Sequence, residues 1–372
     1  MNDELSKNLH SSSITHHSSL AAMLRIVTGP YHPDLENALV EEIRRCKATD
    51  PFLPVAIVVP SNLLSARLRE RLVLVEGLAL LNVHFLTFHQ LAVRLYEERQ
   101  RYPASPTDSA PVELAPDFFF QYLLRQIGLR NMPGLAALDL AHLPPGGLTA
   151  LWSTIRDLKD SAIDPDVAQR AVAEGVFEAE DAPKLQALFT LYSAMNEASR
   201  SFGVGAIDDL ASMVTPYARA SRFLSGLRQV FYYGFYDLTQ VQLSLLEAVA
   251  ACTPVTLFFP RSDDPAWNFA NRFFERHLHP LVSSPAQVTA APAHSQERHS
   301  GFRQEVRVMN AVGQEDELNL VCKEILTLVE THGYSFDDIG VVARSLTSYR
   351  FSLRRLFTQH RIPFTSTAAT PL

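Results

Sequence analysis

Near-continuous apolar runs of five to seven residues recur along the chain, each leading towards a stretch whose apolar positions fall three and four apart. LRIVT (24–28) precedes a helical pattern from Glu36 to Arg45. VAIVVP (55–60) precedes SNLLSARLRERLVLV, where Leu63, Leu64, Leu68 and Leu72 line one face. NVHFLTF (82–88) precedes HQLAVRLYEERQRY. QVFYYG (229–234) precedes VQLSLLEAVAAC, and PVTLFFP (254–260) follows. Runs that are apolar throughout, without alternation, are how strands covered on both faces of a parallel sheet read. Strand–helix alternation with short connections predicts a doubly wound α/β core with a parallel sheet.

Between about residues 108 and 225 the strand signal gives way to helical patterns, read as an all-helical insertion that splits the α/β core into 23–107 and 226–262. In LTALWSTIRDLKDSAI, Leu151, Trp152, Ile155, Leu158 and Ala162 share a face, with Arg156, Asp157, Lys159 and Asp160 opposite. Residues 263–304 end as a linker rich in Pro, Ala, Ser and His. A second α/β unit then begins over 305–372: the strand EVRVMNA, the helix EDELNLVCKEILTLVETHG, the strand DIGVVAR and the helix SYRFSLRRLFTQH. With only the opening strands of a sheet, it reads as the front of something longer.

A length of 372 residues exceeds one ordinary core. Hydrophobic content of 47% and charged content of 20% are those of a globular protein. The net charge of −7 excludes a global basic field, so any nucleic-acid contact has to come from a local patch. The three cysteines, Cys46, Cys252 and Cys322, lie far apart, lack metal-ligand spacing and suit a reducing cytoplasm. No apolar run reaches membrane-spanning length. Residues 1–22 read as a disordered tail; His10, His16 and His17 in it are the alternative, a weak metal site.

The turn after LRIVT carries the most specific chemistry. A working phosphate loop of the form Gly-x-x-x-x-Gly-Lys-Ser/Thr needs Gly, Lys and a hydroxyl five, six and seven residues after its first Gly. Counting from Gly29, those places hold Asp34, Leu35 and Glu36. The cation for the β/γ-phosphates and the hydroxyl for Mg²⁺ are both missing. Two carboxylates stand where a helix start would attract an anion, so they stabilise the helix end themselves and repel phosphate. The other reading is a strand–helix turn that never bound phosphate.

In order and spacing, these segments resemble the front of superfamily 1 helicases of the UvrD type, and more closely the AddB/RexB subunit of bacterial helicase–nucleases. The resemblance is carried by RIVTGP, VAIVVPSNLLSARLRERL, VHFLTFHQLAVRLYEE, VFYYGFYDLTQVQLSLLEAVAACTPVTLFFP and EDELNLVCKEILTLVETHGYSFDDIGVVARSLTSYRFSLRRLFTQHRIPF, over roughly residues 23 to 366. It implies a RecA-like, P-loop NTPase-like sheet with a second motor-type domain starting near residue 305. Arg344 then falls on the arginine that closes a strand at the cleft between two motor domains. Thr87 and Phe88 fall where the family offers a hydroxyl and a ring to single-stranded DNA, and a ring stacks on any base. Phe88 reads equally as a core aromatic at a strand end. Ser61 and Asn62 suit a phosphate, or a helix N-cap.

Active motors of this family hold Mg²⁺ with a paired Asp-Glu. The matching stretch here is GFYDLTQ, where Asp237 stands without a second carboxylate. Losing both the Lys and the acidic pair predicts that ATP is neither bound nor hydrolysed. The resemblance therefore implies a non-catalytic subunit or fragment that binds DNA and an AddA-like motor partner in double-strand break repair, in the cytoplasm. ATP, Mg²⁺ and an iron–sulfur cluster belong to the full complex, with none in this chain. The alternatives are an active ATP-dependent helicase or nuclease subunit, and a structural α/β protein with no nucleic-acid role.

Other constellations are weaker. Pro116-Asp117 with Asp157-Leu158-Lys159 superficially suits a metal-dependent nuclease, but both pieces sit in helical patterns, whereas that chemistry needs them on neighbouring strands. Asp208-Asp209, Asp263-Asp264 and Asp337-Asp338 read as N-caps and turns. Arg350, Arg354, Arg355 and Arg361, interleaved with Tyr349, Phe351 and Phe357, make either a DNA-facing surface or a solvated helix face.

Overall fold

The computed structural model describes residues 23–102, 112–292 and 306–366, apart from 131, 133, 283 and 347. The histidines of the N-terminal tail lie outside them. Strands β1 (Leu24–Gly29), β2 (Val55–Val59), β3 (Val83–Thr87), β6 (Gln229–Tyr233), β7 (Val255–Pro260) and β8 (Val288–Ala290) form one sheet in the order β3-β2-β6-β7-β1-β8. Every pairing in it is parallel. The five strands expected from the apolar runs are all present. Sheet burial explains why they read that way, since β2 and β7 are buried at every position.

Both faces of the sheet are covered. Helices α1 (Glu36–Thr49) and α2 (Asn62–Glu70) bring Leu39, Ile43 and Leu68 onto Val27, Ile57, Phe231 and Phe258. On the other face, Leu91 and Leu95 of α3 (Phe88–Arg101) and Leu245 and Val249 of α10 (Gln240–Ala250) cover Ile26, Val58, Tyr232 and Leu257. Side chains alternate along each strand, so Phe231 and Tyr233 serve one core while Val230 and Tyr232 serve the other. Beneath α1, the buried Lys47 donates to the carbonyls of Leu53 and Leu81, each at 2.6 Å, and so ties the helix end to two loops.

Between β3 and β6 the chain is chiefly helical: α4 (Asp117–Leu129), α5 (Pro145–Asp160), α6 (Pro165–Ala173), α7 (Ala182–Phe202), α8 (Leu210–Val214) and α9 (Arg222–Gly226). At its centre Phe120 stacks on Trp152 at 4.6 Å with the planes 3° apart, and the Trp152 indole donates to Asp117 Oδ1 at 3.1 Å. Two three-residue strands, β4 (Glu113–Ala115) and β5 (Val204–Ala206), pair in parallel at its edge.

Several sequence expectations change. Leu63 is 64% exposed, because α2 turns it away from the face that buries Leu68 and Leu72. Ala162 lies past the end of α5 with φ 52°, in a turn and off the buried face. The charged side of α5 is bonded to neighbours instead of solvated: Arg156 pairs with Asp117 and Asp208, and Lys159 with Asp209 at 2.8 Å. These bonds also engage Asp117 and Lys159 of the nuclease-like residues, while Asp157 is exposed. The stretch read as a linker contributes β8, which flanks β1, a strand too short to register as a pattern.

The chain divides into two compact units, Met1–His294 and Ser295–Leu372. In the second, α11 (Gln314–His332) and α12 (Arg350–Gln359) pack through Leu318, Cys322, Ile325, Leu356 and Phe357. Its two expected strands do not form among the described residues; Val308 and Val342 are 93% and 95% exposed. A parallel strand exists only when a neighbour completes its ladder, and these segments have none there.

Trp152→Ala should lower stability by about 3–5 kcal/mol, because it empties the centre of the helical core and removes the indole bond to Asp117. Trp152→Phe, which keeps the stack, should cost clearly less; urea unfolding followed by circular dichroism compares the two.

Candidate functional site

In an open parallel sheet a ligand meets the carboxyl ends of the strands where the connections diverge. Here the chain leaves β1 towards β2 on one side and leaves β7 towards β8 on the other, so that point lies between β1 and β7. The loop from Gly29 to Leu35 closes over it. The Leu35 amide donates to the Pro30 carbonyl at 3.1 Å, and the Arg261 amide to the Gly29 carbonyl at 2.9 Å. A Cβ on Gly29 would stand 3.2 Å from Ala291 Cβ, beside β8.

The loop's own side chains engage one another. Glu36, the first residue of α1, is only 4% exposed. Its Oε2 accepts from Arg71 Nη1 at 2.7 Å and lies 2.6 Å from His32 Nδ1. Arg71 also donates to Asn37 and reaches Glu76 at 3.5 Å. Leu35 is turned fully into the core. Glu36 lies in the first turn of α1, as expected of a carboxylate at the helix start, and its side chain also turns to Arg71. A carboxylate this buried would cost several kcal/mol without a cation.

Beside the ion pair, Tyr31 stacks on Tyr233 with centroids 5.3 Å apart and planes 28° apart. Burial pushes both phenols above their usual range, Tyr233 further because Tyr31 and Glu36 also face it. Tyr233 is the last residue of β6. The next residue, Gly234, has φ 92°, and a Cβ there would meet Leu64 Cδ2 at 2.4 Å, so the exit from β6 requires glycine. Asp237 comes four residues after Tyr233 and is exposed. Tyr31, His32, Arg71 and Tyr233 were not singled out from the sequence. The i, i+4 spacing of His32 and Glu36 was a visible signal. Nothing in sequence joins Arg71 to Glu36.

Four nucleic-acid candidates do come together, at the carboxyl edge of β2 and β3, where Val59 lies in register with Thr87. Ser61 caps α2 by accepting from the Leu64 amide at 3.2 Å. Thr87 accepts from the Gln90 amide at 3.1 Å, and the Gln90 side chain accepts from the Thr87 amide at 2.8 Å. Gln90 Nε2 also donates to Asn62 Oδ1 at 3.3 Å. Phe88 is half-buried against the core, so neither of its two readings is eliminated. It lines a hollow of about 180 Å³ together with His89, Arg156, Asp160, Thr239 and Gln242. Burial raises the Asp160 carboxyl, and Asp208 adds to the effect.

Arg344, Arg350 and Arg354 belong to the second unit. Arg344 lies in a bend, since the strand it was expected to close does not form. Arg350 lies over the Phe351 ring at 4.9 Å, and Arg354 is exposed one turn on. Of the rest of the expected basic cluster, Arg355 pairs with Glu315, Tyr349 donates to Glu317 and Phe357 is buried, while Arg361 is exposed. The remaining acidic pairs cap turns, with Asp264 accepting from the Ala266 amide at 2.8 Å and Asp338 from the Ser335 amide at 2.9 Å. Among the described residues no group of His, Cys, Asp or Glu has the geometry to hold a metal ion, and no helix is long and apolar enough to cross a membrane.

The B-type subunit of the ATP-dependent helicase/deoxyribonuclease of Bacillus pumilus is 21% identical to this chain, over 88% of the chain and 30% of its own length. The corresponding protein of Heliobacterium modesticaldum is 24% identical, over 91% and 30%, and that of Desulforamulus reducens 22% identical, over 91% and 32%. The chain spans about 30% of the length of these curated relatives. No family model matches it. The AddB-type resemblance read from the sequence thus extends over about nine-tenths of the chain.

Glu36→Ala should destabilise the first unit by about 3 kcal/mol, because it removes the most buried of the carboxylates that neutralise Arg71. The double variant Glu36→Leu/Arg71→Met should recover much of that loss, and a denaturant double-mutant cycle measures the coupling.

Proposed function

We propose that this AddB-like chain is a non-catalytic, helicase-like subunit, or a part of one, that binds DNA and a motor subunit in double-strand break repair in the cytoplasm. One observation carries the non-catalytic half: the crevice between β1 and β7 satisfies its own charges. Glu36, where a magnesium-holding hydroxyl would stand, is buried against Arg71. Leu35, where the phosphate-binding lysine would stand, is in the core. An aromatic pair, Tyr31 on Tyr233, takes the end of β6, just ahead of the stretch in which Asp237 stands without a second carboxylate. These residues do not fit a magnesium–triphosphate: a buried anion faces the phosphates, and the Arg71 guanidinium is already spent on it. The DNA and partner roles are supported by the relatives, whose name describes a subunit of a helicase and deoxyribonuclease. They are also supported by the grouping of Ser61, Asn62, Thr87 and Phe88 on one sheet edge.

Calorimetric titration with a non-hydrolysable ATP analogue and Mg²⁺ should give no heat of binding up to about millimolar concentration, a free energy no better than about −4 kcal/mol. Micromolar affinity would overturn the non-catalytic reading. A labelled DNA end with a single-stranded overhang should bind with an affinity that falls as salt rises. Absence of binding at low salt, both alone and with an AddA-type motor, would remove the DNA role.

A further inference from the structure

Helix α4 is apolar on two sides. Its inner face buries Phe120, Leu123, Leu124 and Ile127 in the core of the helical stretch. Phe118, Tyr122, Arg125 and Leu129 follow one another at intervals of four, three and four residues, so they share one outer face, a stripe about 16 Å long at the rise of a helix. Phe118 is 71% exposed, Tyr122 61% and Leu129 59%. At the end of α7, Phe202 is 62% exposed and stands edge-on to Phe119, with centroids 6.0 Å apart and planes at 88°. Phe202 thereby extends the apolar surface sideways from α4. Scattered apolar residues in water need no explanation, but a contiguous row of large ones marks an interaction surface. A helix apolar on both faces belongs between two partners, and among the described residues only one face of α4 is covered.

The border of this surface is basic. Arg125 lies within the stripe, Arg130 just past its end, and Arg200 two residues before Phe202, all three exposed. Glu197 is also exposed on α7, a turn before Arg200, so the basic character rests chiefly on Arg125 and Arg130. The four-three-four spacing is that of a heptad seam, in which an apolar row on one helix receives an apolar row on another and the charges beside the seam choose the partner. Arginines in that place select carboxylates. A second copy of this chain would set the same arginines against each other across a two-fold axis. A nucleic acid is served less well, because a phosphate backbone needs a track of cations and only Arg125 is charged among the four stripe positions.

We propose that the outer face of α4, with Phe202 beside it, is a docking seat for an amphipathic helix of another protein, one with apolar residues at heptad spacing flanked by glutamate or aspartate. Phe118, Tyr122 and Leu129 supply the apolar area, and Arg125 and Arg130 set the choice of partner. The seat shares no residue with the sheet edge assigned to DNA above, and it stands or falls independently of that reading.

The test uses the full chain and two fluorescein-labelled three-heptad peptides that differ only beside the seam: leucine at the a and d positions of both, glutamate at e and g in one, lysine in the other. Like charges beside the seam keep each peptide from pairing with itself. By fluorescence anisotropy at low salt the glutamate peptide should bind about 10-fold tighter than the lysine peptide, the margin narrowing as salt rises. Phe118→Ala and Tyr122→Ala should each weaken that binding by about 5- to 30-fold with unchanged thermal unfolding, since both side chains are exposed in the free chain. Arg125→Glu/Arg130→Glu should reverse the preference. Equal affinity for the two peptides, binding of neither, or undiminished binding by the aromatic variants would overturn the proposal and leave the DNA reading untouched. Dimerisation of the full chain that Tyr122→Ala abolishes in sedimentation equilibrium would assign the face to a second copy. Binding to oligothymidylate that Phe118→Ala/Tyr122→Ala abolishes would assign it to a nucleic acid, and either result would also overturn the proposal.

Discussion

A carboxylate buried at the head of a helix has to find a cation, and the pairing of Glu36 with Arg71 answers that need for the whole carboxyl edge of the first sheet. Arg71 comes from the turn that ends α2, so the ion pair joins the helix after β1 to the helix after β2. Asn37 and Glu76 hold the same guanidinium, and His32 holds the same carboxylate. Tyr31 and Tyr233 then close the gap towards β6. The crevice that an open α/β sheet ordinarily leaves for a ligand is thereby satisfied from within, and its electrostatics no longer favour an anion.

The neighbouring edge follows a different logic. Ser61, Thr87 and Thr239 each spend a hydroxyl on capping the helix they begin, and Gln90 and Gln242 complete capping boxes at two of them. Helix starts satisfied in this way have less to offer a phosphate than bare amides would.

Much of the fold was legible in the residues because burial on both faces leaves an unmistakable trace. β2 and β7 have no polar side to break their apolar runs, and α1, α3 and α10 show the 3.6-residue period. That the positions five, six and seven after Gly29 hold Asp34, Leu35 and Glu36 was equally plain, since they lie at fixed counts in the sequence. By contrast, the strands expected around Val308 and Val342 show that apolar, β-branched composition does not make a strand. The ladder partner does, and no local pattern reveals whether one is present. β8 is the reverse case: three residues of a Pro- and Ala-rich stretch became a strand because β1 had an open edge.

By itself, then, the order of residues determined the parallel α/β core, the helical stretch between β3 and β6, and the absence of a phosphate-binding set. Those features depend on periodicity and on short spacings, which the chain carries locally. Only the tertiary structure decided that Glu36 faces Arg71, that Tyr31 lies on Tyr233, and that the charged side of α5 is bonded to Asp208 and Asp209. Each of these joins residues that parallel crossovers bring to the same sheet edge or helix face from tens of residues apart. Their distance in sequence carries no information about their distance in space.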